Sequence, residues 1–188
     1  MRYFTYELIA AANDWVRQST AAQVEAETNL ISLSKKYQRQ LERLESRVSR
    51  EAWRFFRYGF GSESLHDARL LSLQVGDGLG FIADGTEPFQ INRRHAAIRV
   101  EFLNYEQNAR YTFDLRQVSR LNCDLFVEKR SYAKSIGDLY IYELTAAGKE
   151  LQLGFLFASG ATIVAQFGKL IFRKKGLKRG HEVGEMYR

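Results

Sequence analysis

The chain has 188 residues, 45% of them hydrophobic and 13% aromatic, with 28 Lys+Arg against 22 Asp+Glu, one proline and one cysteine. A chain of this size and composition can bury roughly 70% of its unfolded surface, which excludes wholesale disorder, a collagenous repeat and a disulfide scaffold. Cys123 has no intrachain partner to oxidise with, which fits a reducing, cytoplasmic compartment.

The opening stretch Met1–Asp14 lacks the apolar core of an export signal, because Glu7 interrupts it and Asn13-Asp14 follow. The spacing predicts a first helix over about Tyr6 to Arg17, broken and followed by a cap at Ser19-Thr20. Next, Leu30, Leu33, Tyr37, Leu41, Leu44, Val48, Ala52 and Phe55 recur every three or four positions, with basic residues between them. This is an amphipathic helical stripe, either one long rod or two helices restarting at Ser49. Gly59 or Gly61 then supplies a helix end.

Beyond Gly61 the hydrophobic period falls to two. Leu71, Leu73 and Val75 alternate with polar residues, Gly76-Asp77-Gly78 reads as a turn, and Leu79, Phe81 and Ala83 as a partner strand. Further strands are expected around Ile98–Phe102, Tyr111–Leu115, Asn122–Val127, 138–145, 150–158 and 161–172. The fold class is therefore α+β: N-terminal amphipathic helices packed on an antiparallel meander of about eight strands. The expected organisation is a helical segment 1–61, a β-domain 62–172 and a basic flexible tail 173–188. Leu151 to Gly168 is free of charge, but its alternation and the Ser159-Gly160 turn predict a buried hairpin rather than a membrane span.

Charge is unevenly distributed. Arg173, Lys174, Lys175, Lys178 and Arg179 supply five positive charges, which leaves the rest of the β-region near balance. A solvated tail is preferred here over a nucleic-acid site, since no aromatic residues interleave the cluster.

Chemistry-bearing motifs are sparse. His66-Asp67 is a candidate base with its orienting carboxylate, with His95 and Glu143 as further candidates around one pocket. Adjacent strand residues point to opposite faces, so that pair needs an irregular backbone; a hydrogen bond pinning the helix-to-sheet junction is preferred for His66 and a turn-capping role for Asp67. A metal site would need His66, His95, Cys123, Asp67, Glu101 or Asp124 to converge without any short ligand spacing, so neither metal nor cofactor is expected. Cys123 is expected to point inward as a small apolar residue. Gly76-Asp77-Gly78-Leu79-Gly80 lacks the Lys-Ser/Thr and the following helix of a phosphate loop. Tyr140, Tyr142 and Glu143 form an aromatic patch that faces a protein partner if Leu139 and Ile141 point inward, and is buried against the helices in the opposite register.

The opening Met1-Arg2-Tyr3-Phe4-Thr5, the helical span, Leu65-His66-Asp67-Ala68 and the late strands around Tyr140-Ile141-Tyr142-Glu143 and Leu151–Phe172 resemble an uncharacterised bacterial family of small domain-of-unknown-function proteins. The resemblance implies a bacterial cytosolic protein and no known activity. The layout is also similar to some immunity proteins of toxin systems, which act by binding a toxin. The expected function is thus a non-enzymatic protein-interaction module with an unidentified protein partner. The alternatives are a small enzyme or ligand-binding protein at His66/Asp67, and nucleic-acid binding through the tail.

Overall fold

The computed structural model describes residues 3–5, 7–9, 20–58, 64–76, 96–124 and 137–177. The predicted first helix falls largely outside these, as do the strand at Leu79–Ala83, His95, Lys178 and Arg179; residues 7–9 are helical.

The amphipathic stripe forms two helices. Helix α1 spans Thr20–Arg43, a short 3-10 turn covers Glu45–Arg47, and α2 spans Arg50–Tyr58. Of the two alternatives the second holds, with the restart at Ser49: its Oγ accepts the Ala52 N–H at 3.2 Å, satisfying a donor of the first turn. The break turns Arg47 toward the sheet, where its guanidinium donates to the Lys149 and Glu150 carbonyls at 2.7 and 2.9 Å. Trp53 Nε1 donates back to the Leu41 carbonyl, tying α2 to α1.

The described strands number six, not eight: β1 Arg69–Gly76, β2 Ala97–Leu103, β3 Ala109–Asp124, β4 Leu139–Ala147, β5 Glu150–Phe157 and β6 Thr162–Gly176. Part of the difference is physical. The two segments read separately around Tyr111–Leu115 and Asn122 are one bent strand, which continues through a register shift between Val118 and Arg120, next to Gln117 at φ 57°. The charge-free stretch at 151–168 is the β5–β6 hairpin, and no described helix is long and apolar enough to cross a membrane.

The sheet is antiparallel in the order β1-β2-β3-β6-β5-β4, so it is not a simple meander. After β3 the chain crosses to the far edge, and β6 returns to pair with β3. The two edges of the sheet then meet: Ala68 bridges Leu139, with Asp67 N–H donating to Leu139 O and Leu139 N–H to Ala68 O, both at 2.8 Å. This curl brings rings from non-adjacent strands together, Phe102 to Phe155 at 4.9 Å and Phe113 to Phe155 at 5.5 Å between centroids. Helix α2 packs on the same face as these rings. Phe55 of α2 stacks on Tyr142 and Phe172 at 5.3 and 4.6 Å and touches Tyr111 and Phe113.

Candidate functional site

Where α1 meets β4, a cavity of about 260 Å³ remains, lined among others by Leu30, Ser34, Tyr37, Phe56, Tyr140 and Tyr142, with Ser64 and His66 at one end. Its walls follow from the elements around it. Leu30, Ser34 and Tyr37 are three or four residues apart on one face of α1. Tyr140 is the extra residue at a register shift between Leu139 and Ile141, and Tyr142 continues along the edge strand.

His66 and Asp67 are brought together. Asp67 adopts φ 61°, the irregular conformation that the pair requires, and its Oδ2 lies 2.8 Å from His66 Nδ1. Asp tolerates that left-handed geometry better than most residues because its short polar side chain bonds locally. Both side chains remain about half exposed, and the His66 ring sits 5.8 Å from that of Tyr140. A carboxylate on Nδ1 fixes the proton there, so the neutral ring offers Nε2 as an acceptor.

Two tyrosines give the cavity its polar tips. Burial pushes the Tyr142 phenol up to about 12, against hydrogen bonds with the Leu65 backbone and the Ser64 side chain. Tyr37 is buried, and desolvation holds its phenol well above the ordinary range; its oxygen accepts the Leu144 N–H at 2.9 Å. Tyr37 therefore covers the open edge of β4, and nearby Phe4 packs edge-on against its ring at 5.4 Å.

Of the other predicted residues, Tyr140 and Tyr142 stay at this cavity and Glu143 lies beside Tyr37, while the rest lie elsewhere. Glu143 is fully buried and accepts the Tyr3 N–H at 3.0 Å. Leu139 is buried, as the first of the two registers read from the sequence requires, but the register shift at Tyr140 breaks the alternation, so neither register holds throughout: Tyr142 packs against Phe55 and Phe56, and Tyr140 and Tyr142 are both half-buried. Cys123 is exposed near the end of β3 rather than inward, and partial desolvation still raises its thiol. Glu101 bonds Ser72 and Thr112. Among the described residues, no three His, Cys, Asp or Glu side chains gather as a metal-ligand set.

Arg173, Lys174 and Lys175 are strand residues, not tail, because β6 runs to Gly176 and pairs them with Thr112, Tyr111 and Arg110. Leu30, Ser34 and Ser64 were not foreseen as site residues. Tyr37 carried a signal, as the one residue of the Leu30–Leu44 apolar series with a polar tip.

Set against protein-family models, curated proteins and solved structures, the chain matches none.

Proposed function

We propose that the protein binds a small, mostly apolar molecule in the α1–β4 cavity, with one N–H or O–H group of the ligand received by His66. The observation that carries this reading is the convergence of His66, Tyr140 and Tyr142 on one cavity, with Asp67 fixing the imidazole at its rim. A concave, aromatic-lined site with few polar groups is the usual form of a small-molecule pocket, and about 260 Å³ suits a ligand of one or two rings. The expected protein-interaction role drew in part on Tyr140, Tyr142 and Glu143 as an exposed face; Glu143 is buried and the two half-buried tyrosines line the cavity, which supports the ligand reading.

Indole and N-methylindole are suitable probes, since they differ by one donor. Protein-observed NMR titration is expected to show saturable shifts at Leu30, Ser34, Tyr140 and Tyr142, with indole the tighter by about tenfold, the worth of one hydrogen bond. Ser34→Trp, which fills the cavity, should abolish both titrations. His66→Ala should remove the difference between the probes while leaving the weaker binding. Shifts scattered over the surface, or a Ser34→Trp protein that binds as before, would overturn the reading.

A further inference from the structure

Two of the charges expected in a tail, Arg173 and Lys175, instead join basic residues of β2 and β3 on one face of the sheet. Cross-strand partners share a face, and the register of β2, β3 and β6 gives four consecutive rows: Ala97–Arg116–Lys169, Arg99–Asp114–Ile171, Glu101–Thr112–Arg173 and Leu103–Arg110–Lys175. The alternate residues Tyr111, Phe113 and Leu115 are buried in the core, so these rows form the outer face. They hold six basic side chains against two carboxylates, a surplus of four within three adjacent strands. Arg116, Lys169, Arg173 and Lys175 are exposed.

The two carboxylates are committed within the sheet. Glu101 bonds Ser72 and Thr112. Asp114 is almost fully buried, with Arg99 at 2.7 Å and Arg173 at 2.6 Å on its two oxygens. It holds both guanidiniums in fixed positions, and each keeps donors beyond the one or two that Asp114 takes. Planar guanidiniums held in place match phosphate oxygens, which accept several donors at once.

We infer that the outer face of β2, β3 and β6 is a docking surface for the phosphate backbone of a double-stranded nucleic acid. The rows extend over about 20 Å at the strand rise, equal to about six base pairs of duplex. A duplex is favoured over a single strand because no position in the four rows is aromatic, and single strands are held largely by base stacking. Contacts of this kind read backbone rather than sequence.

The test is fluorescence anisotropy of the full chain with a labelled mixed-sequence DNA duplex of about 20 base pairs, the RNA duplex of that sequence, and the single DNA strand, from about 50 to 200 mM salt. Binding to at least one duplex is expected, tighter than to the single strand, with a log–log salt slope of about −4 for a surplus of four charges. The DNA and RNA arms distinguish the two sources of the same phosphate chemistry. Replacing Arg116 and Lys169 together by Gln should weaken binding by roughly tenfold and flatten the slope by about 2. Replacing Lys178 and Arg179 by Gln should leave most of the affinity. NMR shifts of the unmodified protein on titration with duplex should fall on Arg116, Lys169 and Ile171, a readout that does not depend on any variant folding. Absence of duplex binding at the lowest salt, preference for the single strand, or equal affinity for phosphatidylserine vesicles or polyglutamate would overturn the inference. So would loss of binding on neutralising Lys178 and Arg179 alone.

Discussion

Asp114 pulls two tendencies apart. Burial works to raise its carboxyl, but the hydrogen bonds and charges of Arg99 and Arg173 outweigh it and hold the group below the ordinary carboxylate range. Because the folded value lies below the unfolded one, its stabilisation is present above the unfolded carboxylate value of about 4 and is lost as pH falls through the folded value. Asp114→Asn should therefore cost about 1–2 kcal/mol near neutrality, a modest figure because both arginines are about half exposed and recover water. Urea denaturation at a series of pH values should show the gap between native and variant closing below pH about 4, whereas a constant gap would mean that packing, not charge, is what Asn disturbs. The alternation Arg110-Tyr111-Thr112-Phe113-Asp114-Leu115-Arg116 makes the two faces of this strand legible in the sequence. That Arg173 reaches the same carboxylate is not legible, because it depends on the β3–β6 register across 59 positions.

At the level of elements, the helices and strands follow their periods closely, and the departures have local causes. The apolar stripe runs in phase through Leu44, Val48 and Ala52, yet the helix stops at Arg43 and resumes at Arg50, because Ser49 offers the backbone a cap. The sequence reads as two strands over β3 because the bend interrupts the alternation at Gln117. Edge protection is the feature that period alone does not reveal. The Leu144 N–H points away from β5, and Tyr37 supplies its acceptor from α1, 107 residues earlier. Tyr37→Phe keeps the ring and removes the acceptor, leaving a buried donor unpaired at a cost of about 1–3 kcal/mol. Hydrogen exchange should show the Leu144 amide losing protection while its neighbours bonded to β5 keep theirs. Unchanged protection at Leu144 would mean that another acceptor had replaced the phenol.

For the molecule as a whole, the decisive fact is that the sheet curls until its edges touch at Ala68 and Leu139, with α2 packed against β3, β4 and β6 through Phe55. The sequence predicts helices covering one side of the sheet, and α2 does pack on its inward face; it does not predict the curl, because the β3-to-β4 crossover and the Ala68–Leu139 bridge are long-range choices that local pattern does not encode. Phe55 is the residue on which this packing turns, since its ring reaches Tyr111 and Phe113 of β3, Tyr142 of β4 and Phe172 of β6. Phe55→Ala would open a void between the two halves of the sheet and cost about 3–5 kcal/mol, a large share of a typical domain's total stability. A helix lying loosely on a finished sheet would lose only its own protection when Phe55 is shortened. A helix that completes the core must take the sheet with it, so amide exchange at Phe113 and Phe172 should accelerate together with exchange in α2, and thermal unfolding should remain a single transition at a lower midpoint. Retention of full protection in β3 and β6 would instead mean that the strands hold their curl without the helix.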